Sequence, residues 1–143
     1  MMKRSLAYLM LFYESNKPLR LNDVAKKLNV KMPSALETIS RLIVKGYLTK
    51  IERGKFQISE KGKQYVEEMI WRHAVLEWTF MNKLNIKSKD LCKAISEFEE
   101  LLPKEIIEKL CEMNEHPYTC PHNIEIPHPG SISSSRKYKY CEV

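Results

Sequence analysis

Two short patterns in the second half of the chain put metal-seeking side chains on shared helix faces. His73 and Glu77 stand at i and i+4, so on a helix an imidazole and a carboxylate project side by side and can reach one ion. Further on, Cys92, Ser96 and Glu99 fall at i, i+4 and i+7, again a single stripe, with Glu100 beside it. Two facing helices with these stripes have donors for one or two divalent ions. Each element also has a plainer reading. A His-x-x-x-Glu pair forms surface hydrogen bonds, Glu97, Glu99 and Glu100 make a solvated face, and Cys92 fills a core. Cys120 and His122 form a short Cys-x-His chelate, or else Pro117, Pro121 and Pro127 simply fix an extended segment, the reading the prolines favour. Cys111 is expected in the core and Cys141 as a free thiol.

No glycine-rich phosphate loop and no nucleophile with its base accompanies these residues, so the chain is not expected to be an enzyme. The apolar run Leu6–Phe12 stops at Glu14, far short of the roughly 20 residues that a membrane span needs, and Met1-Met2-Lys3-Arg4 has no signal-like apolar region behind it. A cytoplasmic protein with no membrane partner is expected, and its four cysteines then read as buried, free or metal-binding rather than as a disulfide framework.

A second kind of chemistry sits in the first half. The net charge of +6 hides an asymmetry: residues 1–63 carry 14 Lys+Arg against 5 Asp+Glu, a net of +9, whereas residues 64–143 carry 10 against 13, a net of −3. A solvated lysine-rich surface would not sort charge in this way, whereas electrostatic attachment to phosphate requires it of the binding half only.

The elements that must position both sets follow from periodicity. Residues 3–14 form a first helix, with Leu6, Leu9, Met10 and Tyr13 at helical spacing, ended by Lys17-Pro18. Leu21–Leu28 forms a second, and Pro33 opens a third that runs to about Lys45, with Gly46 at a left-handed C-cap. Ile39, Leu42 and Ile43 face the core of that helix, and Ser34, Glu37, Thr38 and Arg41 share its other side. Tyr47–Ile51 and Lys55–Ser59 are strands joined by Glu52-Arg53-Gly54. Ser59 caps a long helix reaching about Leu84, followed by helices over 90–101 and 103–114 and an extended, proline-rich segment from His116.

The predicted fold is mainly α: an N-terminal winged helix-turn-helix, three helices plus a β-hairpin wing, over residues 1–62, a helical domain over 63–128, and a flexible tail over 129–143. In such a fold the third helix enters the major groove of double-stranded DNA. Lys31, Ser34, Glu37, Thr38 and Arg41 are then the groove-facing candidates, and Arg53 and Lys55 the wing contacts. Winged helices also dock proteins or RNA; the excess of +9 favours DNA.

The order of motifs resembles a known family. Pro18-Leu19-Arg20-Leu21-Asn22-Asp23-Val24-Ala25-Lys26-Lys27-Leu28, Pro33-Ser34, Arg41-Leu42, Gly46-Tyr47-Leu48 and Ile58-Ser59-Glu60-Lys61-Gly62-Lys63 resemble the N-terminal domain of the diphtheria-toxin-repressor and manganese-transport-regulator family. Arg72-His73-Ala74-Val75-Leu76-Glu77 resembles its Arg-His-x-x-x-Glu, and Glu99-Glu100-Leu101-Leu102-Pro103 with Ile106 resembles the segment around its acidic ligands. Cys120-Pro121-His122-Asn123-Ile124-Glu125-Ile126-Pro127 resembles the Cys-Pro-His-Gly-x-x-Ile-Pro that ends the dimerisation domain. The resemblance covers about residues 3–128, and the tail after Gly130 leaves the chain a short form without the SH3-like domain of longer members.

What the resemblance implies is a metal-dependent repressor in which a divalent ion bridges the two domains and sets the spacing of recognition helices in a homodimer on a palindromic operator. It implies Fe(II) or Mn(II) as the effector, no small-molecule substrate, and His73, Glu77 and Glu99 as ligands, with Cys92, where some members have histidine, and Glu100 as ligands of altered type. A cysteine among carboxylates and an imidazole also suits Zn, Co or Ni. The chain departs from the family at Ala7, where members carry a first-helix ligand, at Ser96, where they carry cysteine or glutamate, and at Glu100, where they carry histidine. The alternative is a regulator of the same fold that answers to another ligand, to thiol oxidation or to nothing. If Arg41 reads a base, Arg41→Ala weakens sequence-specific binding by ~1–3 kcal/mol, whereas Arg53→Ala weakens all sequences alike and flattens the salt dependence. Equal losses on specific and random DNA, measured by fluorescence anisotropy, would remove Arg41 from base readout.

Overall fold

Apolar residues crowd the first segment so densely that its helix, α1 (Arg4–Glu14), buries Leu6, Tyr8, Leu9, Met10, Phe12 and Tyr13 and is covered almost all round. The computed structural model describes residues 3–15, 17–128 and 137–141. They divide into two compact units, one of Arg4–Val66 and one of Lys3 together with the residues from Glu67 onward. In the first, Leu19–Arg20 is a two-residue strand, β1, that passes directly into α2 (Leu21–Lys27). After a turn in which Asn29 adopts φ +53°, α3 (Met32–Val44) begins with proline in its first turn. The hairpin of β2 (Leu48–Glu52) and β3 (Lys55–Ile58) turns at Arg53-Gly54, where Gly54 has φ +73°. Its register runs from Leu48 opposite Ile58 to Glu52 opposite Lys55, with an irregularity after Lys50. β1 pairs with the other edge of β3, giving an antiparallel sheet of order β1-β3-β2. A strand of two residues carries no periodicity, so the sequence does not reveal β1.

One expectation for α3 is corrected. The buried stripe is Ala35, Thr38, Ile39 and Leu42, so Thr38, expected on the exposed face, is 2% exposed and its hydroxyl makes no hydrogen bond. At 100° per residue Thr38 lies one turn from both Ala35 and Leu42, and helix geometry overrides its polarity.

The end of α3 and the start of α4 (Glu60–Trp78) are tied together. Gly46, at φ +84°, lets the chain reverse, and the Gly46 and Tyr47 amides donate to the Ile43 and Leu42 carbonyls, each at 2.9 Å. Ser59 Oγ donates to the Gly46 carbonyl at 2.5 Å and accepts the Gly62 amide at 3.0 Å, which makes it the N-cap of α4. Tyr47 stacks on Tyr65, with ring centroids 4.6 Å apart.

The second unit is built on the remainder of α4, whose residues Met69–Glu77 are all buried. A π-helical turn, Thr79–Lys83, closes that helix, where an uninterrupted α-helix to about Leu84 was expected. The Thr79 hydroxyl donates to the Val75 carbonyl at 2.9 Å and accepts from Asn114 Nδ2 at 3.1 Å, and the Leu84 amide reaches back to the Thr79 carbonyl. Helices α5 (Leu91–Phe98) and α6 (Lys104–Met113) complete a core that includes Trp71, Val75, Leu76, Ile95, Ile107 and Cys111. Among the described residues no helix is long and apolar enough to cross a membrane.

The expected flexible tail is only partly within the described residues: positions 129–136 and 142–143 lie outside them. Residues 137–141 are described, and Tyr140 and Cys141 are buried in the second unit.

A Cβ at Gly62 would collide with the Tyr47 carbonyl oxygen and crowd Ile58. Gly62→Ala therefore costs about 1–3 kcal/mol, as overpacking does, read as a lower denaturant midpoint; an unchanged midpoint would show that this contact does not constrain the fold.

Candidate metal centre

In the second unit α4 brings His73 and Glu77 to the interior, α5 brings Cys92, and the last turn of α5 ends on Glu99. Arg72, next to His73, holds that turn in place. Its Nη1 donates to the Glu99 carbonyl at 2.9 Å and the Leu102 carbonyl at 2.6 Å, and its Nε donates to Glu68 at 3.1 Å. The Glu99 carboxylate then accepts two hydrogen bonds. His73 Nδ1 donates to Oε2 at 2.7 Å, and the Tyr140 hydroxyl donates to Oε1 at 2.6 Å while its oxygen lies 2.9 Å from the same Nδ1. A buried carboxylate needs such partners, and one that holds a histidine N–H fixes the tautomer and aims the other ring nitrogen.

That other nitrogen is the telling atom. His73 Nε2 is buried, makes no hydrogen bond, and lies 3.8 Å from Glu77 Oε2, which is buried and unpartnered as well. His73 and Glu77 are 1% and 0% exposed. The sulfurs of Cys92 and Cys141 join them, with one donor atom from each of the four residues within 4.8 Å of the others. Without an ion, burial pulls the His73 pKa down, but the adjacent Cys92 sulfur and Glu99 carboxylate outweigh it and raise it to about 9, so an ion bound at Nε2 displaces a proton from it. Two unpartnered buried polar atoms converging with two sulfurs are costly as a hydrogen-bonding arrangement. They fit a divalent cation well, as imidazole, carboxylate and thiolate are the donors that zinc, ferrous iron and cobalt accept.

Of the five residues put forward as ligands from the sequence, the structure gathers His73, Glu77 and Cys92 around this centre. It sets Glu99 behind His73, on the far side of the ring. Glu100 is exposed and pairs with Lys3 at 3.5 Å, so it does not join the cluster. Ser96 Oγ donates to the Lys93 carbonyl within its own helix.

Sequence reasoning missed Tyr140 and Cys141 as members of the site. The prolines flanking Cys120 and His122 favour a structural segment there. Both come close to the centre: His122 Nδ1 contacts Glu77 Oε1 and lies 3.2 Å from Cys141 Sγ, and its amide donates to Cys120 Sγ at 3.3 Å. A hydrogen bond from Cys141 lowers Cys120 to about 6, and the same contact pushes Cys141 up. Cys111 accepts from Trp71 Nε1 at 3.4 Å and gathers near His116 and His128. The available signal was four cysteines confined to the second half; the pairing spans too much chain for any periodicity to show it.

In the first unit Lys31, Glu37, Arg41 and Arg53 are exposed, Ser34 is half-buried, and Lys55 is half-buried with Glu52 3.4 Å away. Thr38 is withdrawn from the surface, and Met32 and Leu36 are exposed on the helix instead.

Comparison with known proteins places these features. Residues 59–128 match the family described as iron dependent repressor, metal binding and dimerisation domain. A hypothetical protein from Sulfolobus solfataricus has a structure similar to this chain, with a TM-score of 0.79 and 30% identity over 90% of this chain and all of that one. An uncharacterized HTH-type transcriptional regulator of Methanocaldococcus jannaschii is 26% identical over 98 residues, 68% of this chain and 78% of its own. The manganese regulator SloR shares the fold, with a TM-score of 0.72 at 21% identity; the chain spans 64% of its length.

Tyr140→Phe removes a hydrogen bond to a buried carboxylate. The metal-free protein should lose about 1.5–3 kcal/mol of stability in chemical denaturation, and a loss near zero would mean that Tyr140 does not support Glu99.

Proposed function

The chain belongs to the iron-dependent repressor family, the diphtheria-toxin-repressor and manganese-transport-regulator group of metal-dependent transcriptional regulators, and on that footing we propose that it is a metal-activated repressor that binds a palindromic operator as a homodimer. The observation that carries the metal part of this reading is the pair of unpartnered buried atoms, His73 Nε2 and Glu77 Oε2, 3.8 Å apart beside Cys92 and Cys141. These four residues would hold the ion, whose charge offsets the carboxylate and thiolates buried around it. Glu99 acts through His73 as a positioning residue, the usual arrangement for a ligating histidine. A set with two sulfurs favours ferrous iron, zinc or cobalt over manganese.

For DNA, the reading rests on the +9 net charge of residues 1–63 and on the exposed polar face of α3. Arg41, Glu37, Ser34 and Lys31 face the groove, and Arg53 and Lys55 reach the backbone from the wing. Two-fold symmetry in the protein matches palindromy in the operator. For the second copy, the exposed apolar side chains of the helical unit, among them Leu84, Ile86, Leu101, Ile106, Met113 and Tyr118, supply candidate contacts.

The test is binding to the DNA upstream of the protein's own gene, with Fe(II) or Mn(II) and with chelator. Metal should raise operator affinity about 5–150-fold, the range of ordinary allosteric coupling, and Glu77→Gln should abolish that gain while leaving non-specific binding intact. Affinity indifferent to metal and chelator would instead favour a regulator of the same fold that does not respond to metal.

A further inference from the structure

Glu77 is a carboxylate with two oxygens that face two different sets of donors. Oε2 lies toward His73 Nε2, at 3.8 Å, whereas Oε1 contacts His122 Nδ1 and lies 3.6 Å from Cys141 Sγ. Around Oε1 gathers a second cluster, Glu77, Cys120, His122 and Cys141, again with one donor atom from each within 4.8 Å of the others. His73 and Cys92 do not belong to it. We propose that these four residues form a second metal site, a thiolate-rich one for zinc or a similar borderline-soft divalent ion, and that Glu77 and Cys141 serve both sites.

The donor spacing supports this. Metal–ligand bonds of ~2.0–2.3 Å in a tetrahedron put neighbouring donors roughly 3.2–3.8 Å apart. The 3.2 Å between His122 Nδ1 and Cys141 Sγ and the 3.6 Å between Cys141 Sγ and Glu77 Oε1 fall in that range, whereas His122 Nδ1 and Glu77 Oε1 touch directly, closer than two ligands of one ion, so an ion entering here must part that pair. Two cysteines, a histidine and a carboxylate leave no open position, as in a structural site rather than a catalytic one.

The loop that carries Cys120 and His122 is already shaped for the task. The Asn123 amide donates to the Cys120 carbonyl at 2.8 Å, closing a tight turn in which Asn123 takes φ +70°. The Cys120 amide donates to the Ile124 carbonyl at 2.8 Å, and Trp78 Nε1 donates to the Thr119 carbonyl at 2.5 Å, which ties the loop to α4. The His122 amide donates to the Cys120 sulfur, the kind of outer hydrogen bond that supports a ligating thiolate. An ion here would fasten this loop and the 137–141 segment to α4, and binding would release thiol protons. The inference concerns metal content and is separate from whether metal controls DNA binding.

The test is Co(II) titration of the full chain stripped with chelator, followed by metal content and by the visible and near-ultraviolet bands of tetrahedral cobalt–thiolate coordination. The parent should bind two ions per chain. His122→Ala and Cys120→Ser should each bind one, while His73→Ala should also fall to one but keep the cobalt–thiolate bands of the second site. His122 is part-exposed, so His122→Ala serves as the variant expected to fold, checked by circular dichroism. A parent that binds a single ion, or variants at 120 and 122 with its full stoichiometry and spectrum, would overturn the second site. A protein that binds two ions as described but holds its operator equally well without them would fail the regulator reading alone.

Discussion

Glu99 and His73 meet through a 2.7 Å hydrogen bond on which the organisation of the helical unit depends. With Nδ1 held by the carboxylate, the ring has one nitrogen left to offer, and that nitrogen points at Glu77 and the sulfurs. The bond demands support from several directions because a buried carboxylate is expensive to keep. Tyr140 supplies a second donor to Glu99, and Arg72 holds the backbone at Glu99 and Leu102. A helix from the middle of the chain, the end of another and the C-terminal segment are thereby bound to one another by polar contacts within an otherwise apolar core.

The consequence is a polar interior that is satisfied on one side and unsatisfied on the other. Glu99, Tyr140 and Nδ1 are fully engaged, whereas Nε2 and Glu77 Oε2 are left without hydrogen bonds. Proteins rarely leave such atoms buried without a reason. A cation explains them economically, and the thiols at the same place narrow its chemistry toward softer divalent ions. Glu77, with an oxygen on each of two clusters, joins the family-like centre to the Cys120–His122 loop.

The winged unit answers to a different constraint. Its reversal from α3 into the hairpin and onward into α4 passes through Gly46, Ser59 and Gly62, where backbone and hydroxyl bonds leave no room for a side chain at Gly62. The helical periodicity of α3 fixes which of its residues remain outside. Arg41 and Glu37 stay exposed, and Thr38, on the Ala35–Leu42 stripe, does not.

The order of the six main helices and the hairpin, the charge asymmetry, the capping by Ser59 and the glycine turns are legible in the sequence, because each is a local property of a few neighbouring residues; the two-residue β1 and the π-helical turn after Trp78 are too short to leave a pattern. The sequence also determined that His73 and Glu77 share a face, since helical spacing alone requires it. How distant segments meet depends on packing that no local pattern encodes. Glu100 and Glu99 are adjacent in the chain, yet one points to solvent and the other inward, a distinction set by the end of α5 and by Arg72. Tyr140 and Cys141 lie more than sixty positions beyond His73 and Glu77. No pattern of spacing connects them; Tyr140 joins the centre by donating to Glu99 Oε1 and Cys141 by approaching Glu77 Oε1, from a direction that neither helix could supply.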